Sequence, residues 1–151
     1  MDKANLFRRK VKILIIEDNR MSAELLYEII GGQFDRIVVR TGKDALYKYK
    51  TFSPDIVFLD LELPDISGHA VLDQIRSIHP DKYVVIVTGK GTKKNVEAAL
   101  ENKVQGFLCK PYSRDKILKH INTVSYSLEH KRKQAQDRVI DNKINKDHKT
   151  K

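Results

Sequence analysis

Only one cysteine stands in the 151 residues, so Cys109 has no partner for an internal disulfide. That excludes the small secreted scaffolds that depend on disulfides. No apolar run reaches the ~20 residues that a membrane-spanning helix needs. The N-terminus, MDKANLFRRK, is charged and lacks the apolar core of a secretory signal. There is no internal repeat and no tract of one residue type. Together these absences point to a soluble cytoplasmic protein.

What is present is enough for one core. Hydrophobic residues make up 40% of the chain, which suits a single domain of ordinary size with an extension. The net charge is +9. Residues 129–151 hold eight Lys/Arg against four Asp/Glu, and the rest of the chain holds 21 against 16. Charge of this size can attract nucleic acid, anionic lipid or an acidic partner. No aromatic residue is interleaved with the tail's lysines, so a solvated helix face is the preferred reading.

The apolar runs recur at regular intervals. VKILII (11–16), RIVV (36–39), DIVFLD (55–60), YVVIVT (83–88) and QGFLCK (105–110) read as strands. They are rich in Val and Ile and apolar almost throughout, as strands covered on both faces should be. Helical patterns lie between them. Leu25, Leu26, Ile29 and Ile30 predict a helix over about 20–30 that ends at Gly31-Gly32. Thr41, Ser67, Thr92 and Ser113 are positioned to cap four more. Beyond Leu128 the pattern degrades into scattered apolar positions, which predicts either a helical extension or a linker. Five βα units in series imply a doubly wound parallel sheet with helices on both faces.

In such sheets ligands bind beyond the carboxyl ends of the strands. The first strand ends on Glu17-Asp18, the third on Asp60, the fourth on Thr88 and the fifth on Lys110-Pro111. Each signal alone has an ordinary structural reading. A strand terminus is often acidic, Thr-Gly is often a turn, and Lys-Pro is common on surfaces. The joint arrangement is different, because all four fall at the same end of their strands. Carboxylates crowded together raise one another's pKa values, and a hard divalent cation relieves that conflict. Mg²⁺, with Mn²⁺ as an alternative, suits an open oxygen site that keeps several waters. Asp60 then reads as a nucleophile that forms an acyl phosphate. Lys110 and the metal would neutralise the transferring group, and Thr88 would donate a hydrogen bond to it.

With these residues in place, the sequence resembles the receiver domain of bacterial two-component response regulators. The resemblance rests on I-I-E-D-N at 15–19, D-L-E-L-P-D-I-S-G at 60–68, V-T-G at 87–89 and C-K-P-Y at 109–112, and it runs from about Val11 to Leu128. It implies a receiver body over 11–128, an N-terminal extension over 1–10 and a basic tail over 129–151. It also implies a flavodoxin-like sheet in the order 2-1-3-4-5. Asp60 would be phosphorylated by a sensor histidine kinase or a histidine phosphotransfer protein. Mg²⁺ would be held by Asp18, Asp60 and the backbone carbonyl of Glu62, with Glu17 acting through water. Lys110 would pair with the phosphoryl group, and the Lys110-Pro111 bond would be cis. Thr88 and Phe107 would form the switch that alters the face made by the fourth helix, fifth strand and fifth helix. Glu62 and Lys90 would tune the lifetime of the phosphoryl group.

Other residues have structural readings. Pro64 and Gly68 shape the loop after Asp60, and Gly89 permits close approach beside the phosphate. Cys109 is expected to be buried packing, and His69 is expected to be solvent-exposed.

The resemblance implies a regulator rather than an enzyme, one that at most catalyses its own phosphorylation and dephosphorylation. Its output would be a downstream protein, or an output domain in a longer regulator, and it allows a phosphorylation-dependent homodimer. No helix-turn-helix pattern follows the body, so direct nucleic-acid binding is disfavoured. Two rivals use the same sheet. A flavin-binding protein would need a phosphate-cradling glycine loop where Glu17-Asp18-Asn19 stands. An aspartyl phosphohydrolase would need a cap or substrate pocket that the chain has little length to build.

Overall fold

The computed structural model describes residues 9–149. The extension expected at 1–10 therefore lies outside the described residues except for Arg9 and Lys10. Ten elements alternate: β1 (Lys12–Ile16), α1 (Arg20–Ile30), β2 (Asp35–Val39), α2 (Gly42–Phe52), β3 (Ile56–Leu59), α3 (Gly68–Ile78), β4 (Tyr83–Thr88), α4 (Lys93–Glu101), β5 (Gly106–Cys109) and α5 (Arg114–Lys149). The sheet order is β2-β1-β3-β4-β5, and every pairing is parallel.

Side chains alternate across a strand, so each strand feeds two cores. Leu14 and Ile16 of β1 join Val57, Leu59, Val84 and Ile86 on one face, beneath α2, α3 and α4. Ile13 and Ile15 join Ile56, Phe58, Val85 and Val87 on the other, beneath α1 and α5. Burial on both faces explains why these strands read as unbroken apolar runs rather than as alternating ones.

The expected caps form. Thr41 Oγ1 accepts the Asp44 amide at 3.1 Å, Ser67 Oγ the Ala70 amide at 3.1 Å, Thr92 Oγ1 the Asn95 amide at 3.3 Å, and Ser113 Oγ the Lys116 amide at 3.2 Å. Asn19, which sequence reasoning did not assign as a cap, accepts the Ser22 amide at 2.9 Å and starts α1. Gly31 closes that helix with φ at 79°, a left-handed value that glycine adopts without a Cβ penalty.

Beyond Leu128 the chain continues as helix. The 36-residue α5 is about 54 Å long at the usual helical rise. Its buried residues are Ile117, Ile121 and Val124, and Val139, Ile140 and Ile144 are exposed. Among the described residues no helix is long and apolar enough to cross a membrane.

Candidate phosphoacceptor site

Strand order reverses between β1 and β3, and the crevice beyond that point is where the acids lie. Hydrogen bonds of the sheet run one residue past the strands. The Glu17 amide donates to the Val39 carbonyl at 3.0 Å, the Asp60 amide to Ile16 at 2.9 Å, and the Lys110 amide to Thr88 at 2.8 Å. Glu17, Asp60 and Lys110 are thus held by the backbone of the sheet itself.

Their side chains converge. Lys110 Nζ donates to Asp60 Oδ2 at 2.8 Å and also bonds Glu17 Oε1. The second Asp60 oxygen accepts the Glu62 amide at 2.9 Å. Glu17 is 1% exposed and Asp60 4%. Glu17 Oε2 is buried and has no hydrogen-bond partner. Burial pushes the Glu17 carboxyl up to about 8, helped by the neighbouring Asp60 and opposed by Lys110. Burial would also raise Asp60, but hydrogen bonds from Glu17, the Glu62 amide and Lys110 outweigh it and hold Asp60 below its ordinary value. Burial works against the Lys110 charge, yet the two carboxylates hold its pKa above the ordinary value. These opposed shifts favour a proton on Glu17 beside an ionised Asp60, with the Lys110 cation against both.

Asp18 stands apart from this cluster. It is exposed, and its backbone carbonyl accepts from Arg40 Nη2 at 2.6 Å and Nε at 3.2 Å. Among the described residues no three acids, histidines or cysteines close into a metal-sized group, so the crowding of three carboxylates expected from sequence reduces to two. The donor set still fits a hard cation. It offers carboxylate oxygens, one of them buried and unpaired, at an open edge where a cation could keep water ligands.

Thr88 is fully buried, and its hydroxyl oxygen accepts the Lys90 amide at 3.3 Å. Phe107 is half-buried and packs against the α2–α3–α4 core. Glu62 and Lys90 pair across the rim, Nζ to Oε1 at 2.8 Å, with both side chains largely exposed. The Lys110-Pro111 bond is cis.

Two expectations change. Cys109 is exposed rather than buried, at the end of β5, which is an edge strand with none of its residues fully buried. Its sulfur lies against Gly91 instead, where a Cβ would collide with it. His69 is half-buried, not free in solvent, and its Nε2 lies 3.2 Å from Asn95 Oδ1. Sequence reasoning also missed Arg40, Asp65 and Tyr112. Asp65 accepts the amides of Gly42 and Lys43 at 2.7 and 2.9 Å. Tyr112 donates its hydroxyl to the Ser22 carbonyl at 3.0 Å, tying the loop after β5 to α1. None of these contacts has a local sequence signal, since each joins residues at least 22 apart.

The family described as the response regulator receiver domain matches residues 13–122. The chain belongs to that family. The Thermotoga maritima chemotaxis protein CheY is 26% identical to this receiver over 116 residues, 76% of this chain and 97% of that one. The regulatory protein LuxO of Vibrio vulnificus is 35% identical over 85 residues, 56% of this chain. The receiver spans only 19% of LuxO's length. Among solved structures, the signal receiver domain of a putative Luxo repressor protein from Vibrio parahaemolyticus is 30% identical with a TM-score of 0.68. That likeness covers 87% of this chain and 98% of the other. The BeF3-activated DrrB receiver domain is 21% identical with a TM-score of 0.71, over 78% of this chain and 99% of that one, and speaks for the fold alone.

Proposed function

We propose that this receiver is a phosphoacceptor switch whose acceptor is Asp60 and whose donor is the phosphohistidine of a sensor histidine kinase or a phosphotransfer protein. The observation that carries this reading is the contact of Lys110 Nζ with a buried Asp60 carboxylate at the switch point of the sheet. An Asp60 oxygen attacks phosphorus, the phosphorus–nitrogen bond breaks, and its electron pair leaves on the imidazole. Lys110 neutralises charge on the transferring oxygens, which is most of what phosphoryl transfer asks of a protein. Thr88 lies fully buried at the neighbouring strand end, where its hydroxyl can turn from the Lys90 amide towards a phosphoryl oxygen. Glu17, Asp18, Asp60 and the carbonyl of Glu62 would hold Mg²⁺. When bound, the cation supplies the positive charge that lets two ionised acids and a phosphoryl group share one crevice.

Charge at Asp60 then biases the α4–β5–α5 face through Thr88 and Phe107. The Glu62–Lys90 pair stands over the rim and sets the phosphoryl lifetime by controlling the approach of water. Continuation of α5 to Lys149 as an exposed helix favours a second reading of the output, in which this helix connects the receiver to a further domain.

Intact-mass spectrometry after incubation with acetyl phosphate and Mg²⁺ tests the acceptor. A single phosphoryl adduct that requires Mg²⁺ and disappears in Asp60→Asn supports the proposal. No adduct on the unaltered protein refutes it. For the rim pair, an unchanged dephosphorylation rate in Glu62→Ala and Lys90→Ala refutes the tuning role.

A further inference from the structure

Two acid-bearing loops must keep a fixed separation if they are to share a cation. One follows β1 and carries Glu17 and Asp18, and the other follows β3 and carries Asp60 and Glu62. The turn from β2 to α2 supplies none of the acids, yet it touches both loops. Arg40 holds the Asp18 carbonyl with two guanidinium N–H groups. Two residues on, the Gly42 and Lys43 amides donate to the two oxygens of Asp65, at 2.7 and 2.9 Å. We infer that this turn is the gauge that sets the spacing of the site, and that Arg40 and Asp65 are positioning residues for the cation-holding loops.

The packing around Asp65 supports more than a helix cap. Thr41 already caps α2 through the Asp44 amide. The Gly42 and Lys43 amides both lie at the first turn of α2, Gly42 buried and Lys43 exposed, and water could satisfy the exposed one. Instead a carboxylate more than 20 residues away takes both, and that carboxylate is itself exposed. The positive end of the helix favours the anion, and the two amides hold the Asp65 carboxyl down to about 2. The contact therefore persists across the physiological pH range.

The next residue adds a steric part. Ile66 lies directly over Gly42, where an added Cβ would collide with Ile66 Cγ1 and come within 2.8 Å of its Cδ1. A glycine at 42 is what lets the β3–α3 loop come this close. The same loop is fastened at its two ends, by the Glu62 amide on Asp60 Oδ1 at 2.9 Å and the Gly68 amide on the Leu61 carbonyl at 2.9 Å. Asp65 is the middle fastening. Without it the Glu62 carbonyl is placed less firmly relative to Asp18. Outer contacts of this kind change metal affinity without touching the metal.

This inference rests on the cation site proposed above, and its test separates the two. Calorimetry gives the Mg²⁺ dissociation constant of the full chain, and thermal melting without metal gives stability. Asp55 provides the control, because its carboxylate also accepts a backbone amide, Lys12 N–H at 2.8 Å, but at the opposite end of the sheet. Asp65→Ala and Arg40→Met should each weaken Mg²⁺ binding about tenfold. Asp65→Asn, which keeps one acceptor oxygen, should fall between Asp65→Ala and the unaltered protein and guards against misfolding of the alanine variant. Asp55→Ala should lower the melting temperature and leave the Mg²⁺ constant unchanged. In metal-free protein, Asp65→Ala should also speed hydrogen exchange at the Glu62 amide. If the Asp65 variants melt lower but bind Mg²⁺ as the unaltered protein does, Asp65 is a helix cap and the inference fails alone. If the unaltered protein binds no Mg²⁺, the cation site fails and takes the inference with it.

Discussion

Glu17 makes the stability of this receiver fall as pH rises through neutrality. Its folded-state pKa of about 8 lies above the ordinary 4.5, so between those values the folded state holds a proton that the unfolded state has lost. Stability is then full below the unfolded pKa and declines by about 1.4 kcal/mol per pH unit until Glu17 ionises. Asp60 is shifted the other way, and its contribution is lost only as pH falls into the acid range. His120 is lowered, chiefly by burial, so its cost to stability grows mainly below its ordinary value of 6.5. The window from pH 6.5 to about 8 therefore isolates Glu17. Integrated across that window with the folded pKa near 8, the loss is about 1.5 kcal/mol, a sizeable part of the ~5–15 kcal/mol of an ordinary domain. Urea unfolding in a chelator at several pH values reads it directly. Glu17→Gln keeps the shape and the neutral form, so its midpoint should stay flat over the same window. A flat profile in the unaltered protein, or an equal slope in Glu17→Gln, would refute a proton retained on Glu17 in the folded state.

Mg²⁺ binding near pH 7 should release about one proton, because the cation replaces the proton on the Glu17–Asp60 pair; calorimetry in buffers of different ionisation enthalpy counts it. Gly68→Ala should destabilise the fold by roughly 1–3 kcal/mol in urea, because a Cβ there would strike the Asp60 carbonyl and come within 2.5 Å of Leu61 Cα, both backbone. Arg76 donates to the carbonyls of Asn102, Lys82 and Lys103 at 2.6, 2.7 and 3.1 Å. Arg76→Met should therefore cost about 1–3 kcal/mol, with the largest gain in hydrogen exchange between α4 and β5.

Much of this receiver was legible in the linear chain because its signals are local. Val- and Ile-rich runs separated by capped helical patterns are enough to define five βα units, and parallel crossovers leave few topologies. The chemistry was legible for the same reason. Glu17, Asp60, Thr88 and Lys110 lie at or one residue past strand ends, and all parallel strands end on one side of the sheet. The five caps differ in how plainly they read: four are a short polar residue just before a helical pattern, whereas Asn19 was hidden inside the acidic motif.

Tertiary structure alone decided the rest. The state of Glu17 depends on burial and on Asp60, 43 residues away, and no pattern within a few residues encodes a desolvated oxygen. Asp18 and Glu17 adjoin in sequence, but successive side chains of an extended segment point to opposite sides, so Glu17 is buried beside Lys110 and Asp18 faces solvent. Cys109 read as interior because it continues an apolar strand, yet β5 is the sheet edge and its last residue is exposed. Arg40 lies in no motif and Asp65 stands inside the 60–68 motif without an assigned role, and the contacts of both exist only because the fold brings the β2–α2 turn against both loops. The sequence by itself determined which groups stand at the carboxyl edge, through local periodicity and strand polarity. Packing determined which of them are desolvated, which meet solvent and what holds them apart, because distance and desolvation arise only once the layers are in contact.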